Sequence, residues 1–390
     1  MQVSTKHFTN KMDTILDQFF SLLRAGLWVD HTPDTHLFEK DVDWKAIYTL
    51  AMEQTVIAIV WDGVEKLPLE LRPSKALSLK WYSYVVKTQQ TNILINKKIA
   101  YIFKRYKESG LQPILLKGGG IAAFYTNPMR RGCGDIDIYV GEGADYAKAN
   151  SIAENEFKGV NIHKIGQKVH RHDYHTTFTL PDGLTIENHT KFTSHFSPSI
   201  SRRFDKQLSR WYPQGAESVN IEQTEINIAP IEFNAQYVFI HMYRHLFTQG
   251  VGLRQICDCA VLINRLKGGS IELAGYKKGW QALASFLVEY IGVPSEKIPN
   301  FKEINSKRNR IILALILDGG NFGTHLINRR PAGYWSGKFF SFKRQISRWP
   351  KQMRISFVDT MRFIFFCRTK DIWIYIEELI EDKFKFKLNK

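Results

Sequence analysis

Between residues 113 and 140 an apolar run, Pro113-Ile114-Leu115-Leu116, ends in Lys117 and three glycines, Gly118, Gly119 and Gly120, and a second β-like run then reads Asp135-Ile136-Asp137-Ile138-Tyr139-Val140. Residues i and i+2 of a strand point to the same face, so Asp135 and Asp137 project side by side while Ile136 and Ile138 turn inward. Two adjacent carboxylates suit a divalent cation. A fixed pair of oxygen ligands beside a glycine turn that exposes backbone N–H groups is what metal-assisted transfer from a nucleoside triphosphate requires.

Apolar residues recur at helical spacing on either side of this segment. Ile15, Phe19, Leu22 and Leu23, then Ile95, Ile99, Ile102 and Phe103, predict helices through 1–112, with Pro68 and Pro73 as breaks. Within 113–200 strand and helix signals alternate: a strand at 114–116, a helix at 120–125, a strand at 135–140 and a helix at 144–157. Two further strands meet at the turn Pro181-Asp182-Gly183. Segment 201–230 reads as a connection with short β-like alternation, and 231–390 as a helical region. The expected fold is therefore α/β (α+β), a core with a mixed sheet flanked by N-terminal and C-terminal helical regions.

The 54 Lys+Arg against 38 Asp+Glu give a net charge of +16, which favours polyanionic partners such as nucleotides, nucleic acid or an anionic membrane surface. Four cysteines, Cys133, Cys257, Cys259 and Cys367, show no Cys-x-x-Cys spacing and read as reduced thiols of a cytoplasmic protein. No secretory signal is evident, and no uncharged apolar stretch reaches membrane-spanning length.

The run Leu115-Leu116-Lys117-Gly118, then Tyr125, Pro128, Arg131 and Asp135-Ile136-Asp137, resembles the DNA polymerase β-like nucleotidyltransferase superfamily. More narrowly it resembles a bacterial family of uncharacterised nucleotidyltransferases. Trp44 to Gly63, Ile186-Glu187-Asn188-His189, and Arg254 to Asp258 are similar to other stretches of that narrower family. The resemblance implies a nucleotidyltransferase core at 113–200 that moves a nucleoside monophosphate from an NTP, such as ATP, to an acceptor with release of pyrophosphate. It implies Mg²⁺ or Mn²⁺ held by Asp135, Asp137 and Glu187, the last being the superfamily's third carboxylate. Lys117, Gly118, Gly119, Gly120 and Arg131 are the candidate triphosphate-binding residues. The acceptor, whether protein, RNA or small molecule, stays open, because fold and metal site are shared across such reactions.

Each residue also has a plainer role. The glycines make a tight turn, Lys117 covers core with its stem, and Arg131 forms an ion pair that orients the aspartates. Arg254 and Asp258 make an i,i+4 helical pair. The cluster His170, His172, Asp173 and His175 lacks a compact strand geometry for a metal, and His241 and His245 read as buried network histidines. From Lys338 to Arg368, phenylalanines interleave with basic residues, a pattern that fits an amphipathic helix packed on its own domain better than peripheral membrane contact. The reading of a different class is a non-catalytic nucleotide- or RNA-binding module that uses its basic surface.

Overall fold

The computed structural model describes residues 2–161, 174–192, 198–266, 271–273, 275–320, 331 and 333–365. His170, His172, Asp173, Gly268, Gly269, Asn321 to Gly323, Cys367 and Arg368 lie outside the described residues. Helices α1 (Gln2–Leu27), α2 (Trp44–Glu53), α3 (Ile57–Glu65) and α4 (Lys75–Glu108) come first. Asp43 caps α2 by accepting from the Ala46 N–H at 3.1 Å. Arg105 and Lys107 in the last turn of α4 complement its negative end.

The central elements are β1 (Ile114–Leu115), α5 (Gly119–Ala122), β2 (Ile136–Tyr139), α6 (Ala144–Asn155), β3 (Val160–Asn161), β4 (His175–Thr179) and β5 (Thr185–His189). After α7 (Pro198–Leu208) come β6 (Glu217–Ile221) and β7 (Thr224–Ile228). The strands form one mixed sheet in the order β3-β4-β5-β2-β1-β7-β6. β1 is antiparallel to β2, whereas β2–β5 and β1–β7 are parallel. The β6–β7 hairpin lies in the segment that the sequence presents as a connection, and it extends the sheet past β1. The β4–β5 turn is made where expected: Gly183 takes φ +80° and the Asp182 side chain accepts from the Leu184 N–H at 3.2 Å.

The alternation along β2 and β5 sorts the two faces of the sheet. Ile136, Ile138, Val140 and Ile186 pack with Ile95, Ile99, Ile102 and Phe103 of α4 and Ile152 and Ala153 of α6. Asn188 shares that apolar side, where it accepts from the buried Tyr106 hydroxyl at 2.9 Å. The opposite face carries the acids, and after the sheet the chain runs through the C-terminal helices α8 (Ile231–Phe247), α9 (Leu253–Asn264), α10 (Lys277–Phe286), α11 (Ser306–Gly319), α12 (Tyr334–Ile355) and α13 (Phe357–Phe363). These share one apolar cluster with α1, α2 and α3. No helix among the described residues is long and apolar enough to cross a membrane. Cys133, Cys257 and Cys259 are free thiols.

Two buried contacts tie these parts together. Helices α1 and α3 cross at glycines: a Cβ on Gly26 would land on the Ile59 carbonyl, and one on Gly63 on the Leu22 carbonyl. Backbone leaves no room to relax there, so Gly63→Ala should lower stability by about 1–3 kcal/mol in urea unfolding. A neutral result would mean that the helices can separate without loss.

The second tie holds the loop that leads to Asp135. Arg131, 5% exposed, donates to Asp258 of α9 from Nε at 3.0 Å and from Nη2 at 2.6 Å, and the Tyr125 hydroxyl donates to the same carboxylate at 2.6 Å. Asp258 thus grips a distant segment, while Arg254, expected as its helical partner, donates to the Gly132 carbonyl at 2.9 Å. Asp258→Asn leaves a buried guanidinium without its charge and should cost about 3–5 kcal/mol in urea unfolding. Arg131→Met combined with Asp258→Leu should cost less than the single change, because it strands no charge.

Candidate active site

Parallel pairing of β2 with β5 sets Asp137 opposite Glu187 and Tyr139 opposite His189, and antiparallel pairing of β4 with β5 sets His175 opposite His189. With a side-chain period of two, Asp135, Asp137, Glu187, His189 and His175 share one face. His189 Nε2 lies 3.1 Å from Asp137 Oδ1 and 3.3 Å from Glu187 Oε2, so a single ring nitrogen reaches both carboxylates. His175 Nε2 is 3.8 Å from the same Glu187 oxygen. Asp137 and Glu187 therefore lie side by side in the strand register. Asp135 stands just before β2, at the exposed rim.

Lys117, at the end of β1, places its Nζ 2.9 Å from Asp137 Oδ1. Burial penalises both charges, but each is the other's remedy. Asp137 outweighs desolvation to raise the Lys117 pKa, while Lys117 and His189 hold the Asp137 carboxyl well below the usual range. Burial likewise opposes a charged His189 ring, and its bonds to Asp137 and Glu187 reverse that and push its pKa up. His175 is pushed down by burial, with Glu187 pulling the other way. Asp135 is raised by partial withdrawal from water and then by the repulsion of Asp137 and Glu187. The cluster is thus crowded with negative charge on its open side.

The three glycines separate in role. Gly118 adopts φ +60° and ψ −117°, a conformation that favours glycine, and a Cβ there would sit 3.5 Å from the Asp135 carbonyl. Gly119 and Gly120 face packed side chains: a Cβ on Gly119 would meet Ile99 at 2.8 Å, and one on Gly120 would meet Ile228 at 3.2 Å. Gly118 is the glycine beside the aspartates, and the other two let α5 settle against the core. Arg131 has its fork engaged by Asp258, so its place in this structure is to anchor the loop before Asp135.

Helix α8 forms the wall opposite the sheet. Tyr237 and His241, four residues apart, lie within electrostatic reach of the cluster: Tyr237 senses Lys117, Asp137 and Glu187, and His241 senses Lys117 and His189. Burial raises the Tyr237 pKa and drives those of His241 and His245 well down. Among the described residues the buried Tyr237 hydroxyl and His241 Nδ1 have no hydrogen-bond partner. Helix α12 fixes the end of α8, since Gln345 donates to the Phe247 carbonyl at 2.6 Å and Arg348 donates to the carbonyls of Leu246 and Thr248. The basic, aromatic C-terminal stretch thus sends part of its polar character inward, while Phe339, Phe342 and Phe357 remain exposed.

Sequence reasoning gave no role at this site to His189 or Tyr237 and set His175 aside with its neighbouring histidines. A signal for the two histidines existed. A symmetric turn centred on Asp182 pairs residues equidistant from it, which puts His175 across from His189, and the i+2 rule then adds Glu187. Tyr237 had no such signal, because only the tertiary packing of α8 brings it near.

The family described as Uncharacterised nucleotidyltransferase matches residues 40–273, which is more than half of the chain and includes every site residue named above. Among solved structures, an antigenic nucleotidyltransferase-like protein from Paracoccidioides brasiliensis is similar, with 11% identity and a TM-score of 0.32 over 45% of this chain and 77% of its own. No curated protein matches the sequence. The chain belongs to the family of uncharacterised nucleotidyltransferases.

Proposed function

We propose that this chain is a metal-dependent nucleotidyltransferase of the DNA polymerase β-like type, acting at the Asp135, Asp137 and Glu187 face. An acceptor oxygen attacks the α-phosphate of a nucleoside triphosphate, a new O–P bond forms, and the bond to the β-phosphate breaks to release pyrophosphate. The observation that carries this reading is the registry of Asp137 with Glu187 on one polar face, next to the Gly118 turn, in a chain of this family. The donor set fits Mg²⁺ or Mn²⁺: Asp137 Oδ1 is engaged by Lys117 and His189, which leaves Oδ2 to act with Asp135 and Glu187. A divalent cation bound there would neutralise triphosphate charge and acidify the acceptor hydroxyl.

The chain's own groups have separable tasks. Lys117 fixes the Asp137 rotamer through Oδ1, so the carboxylate is presented without reorganisation. Glu187 or Asp137 would take the acceptor proton. Gly118 lets backbone approach the triphosphate, and Arg131 holds the intervening loop through Asp258. Tyr237 on α8 offers a hydroxyl to the nucleotide or acceptor.

Incubation with each α-labelled nucleotide and Mg²⁺ or Mn²⁺ should move label onto an acceptor and release pyrophosphate. Asp135→Asn with Asp137→Asn keeps size while removing the charge that holds the metal, and should reduce transfer by about 10³-fold or more with the fold retained. A basic binding module gives the opposite pattern: no release with any nucleotide across a broad acceptor panel, and polyanion affinity unchanged or raised in the double variant. That pattern would sink the proposal.

A further inference from the structure

His189 Nε2 stands between two carboxylates. A ring Nε2 carries at most one hydrogen, yet two carboxylate oxygens, from Asp137 and Glu187, approach it at 3.1 and 3.3 Å. Glu187 Oε2 in turn faces a second ring nitrogen, His175 Nε2, at 3.8 Å, beyond hydrogen-bonding length. One ligand atom from each of His175, Glu187 and His189 lies within 4.8 Å of the others. Two nitrogens and one oxygen thus converge on a common point.

Three strand positions fix this convergence. His175 and His189 are cross-strand partners, and Glu187 is two residues from His189 on the same face. A tetrahedral ion with bonds of ~2.1 Å sets its ligand atoms about 3.4 Å apart, which is near the two shorter separations here. The third edge, between the two imidazoles, is no longer than 4.8 Å. The remaining coordination positions open toward Asp137 and the cleft.

We propose that His175, Glu187 and His189 form a second cation site, selective for a divalent transition metal such as Zn²⁺, Co²⁺ or Mn²⁺ over Mg²⁺, beside the carboxylate site of Asp135 and Asp137. Imidazole ligands suit the first-row transition metals, whereas Mg²⁺ demands oxygen and retains its water. Glu187 has two oxygens and bridges the sites, the geometry by which paired metals act on one phosphoryl centre. The inference rests on the proposed transfer chemistry only in giving Glu187 to both ions; the imidazole pair and its register are independent of it.

The test uses the full chain stripped with a chelator and no nucleotide. Co²⁺ titration followed by visible absorption, with Zn²⁺ calorimetry alongside, should show a transition-metal site in the wild type with the band intensity of a low-coordinate nitrogen and oxygen site. His175→Gln and His189→Gln should each weaken it by about 10–100-fold. Asp135→Asn, outside the triad, should leave Co²⁺ binding unchanged while removing nucleotidyl transfer. Far-UV circular dichroism monitors the fold, and if the buried His189 variant fails to fold, the half-buried His175 variant decides alone. Co²⁺ binding that is absent from the wild type, or equal in wild type and folded His175→Gln, overturns the site. A wild type that binds Co²⁺ through the histidines yet transfers no nucleotide keeps this site and removes the proposed reaction.

Discussion

The parallel pairing of β2 with β5, with Asp137 set against Glu187, is the constraint on which the rest of the site depends. Because the side-chain period of a strand is two, that register also turns Ile136, Ile138 and Ile186 into the apolar layer under α4 and α6. A slip of one residue would bury the carboxylates and expose the isoleucines. The hydrophobic effect on one face therefore holds the charge geometry on the other, and the site needs no separate scaffold.

Such a face is electrostatically unstable by itself. Two like charges about 4 Å apart repel by about 4 kcal/mol at an effective dielectric near 20. Lys117, and His189 when protonated, offset part of this for Asp137, which is why a carboxylate only 5% exposed remains ionised. The Asp135 pKa is raised first by withdrawal from water and then by Asp137 and Glu187, and Lys117 offsets only part of this. A bound cation would supply the missing charge. The chain around the cluster carries a net +16, so a triphosphate is drawn toward a site whose own sign, without metal, would repel it.

Much of this was legible in the sequence where the physics is local. The alternation around Asp135 and Asp137 and the Pro181-Asp182-Gly183 turn each specify a strand or a turn from neighbouring residues, and β2, β4 and β5 form there. What was not legible depends on distant partners. Arg131 looks equally like a phosphate ligand or an ion pair until α9 brings Asp258 to it. Three consecutive glycines look equivalent until Ile99 and Ile228 are seen filling the space beside the second and third. His175 stands in sequence beside His170 and His172, but its strand partner His189 lies across the hairpin.

The C-terminal helices explain why the polar face is a cleft and not an open sheet surface. Helix α8 lays Tyr237 and His241 over the carboxylates, and each leaves a buried polar atom unbonded. A helix placed at that cost needs strong fixation elsewhere. It is provided by α12, whose Gln345, Arg348 and Gln352 bond the last carbonyls of α8, and by Asp359 of α13, which accepts from the Tyr243 hydroxyl at 3.0 Å. These contacts supply donors to groups that would otherwise be orphaned at a buried helix end, and their stabilisation offsets the unsatisfied atoms over the cleft. The helical region that lacks any carboxylate of the site thus holds a tyrosine hydroxyl within electrostatic reach of it.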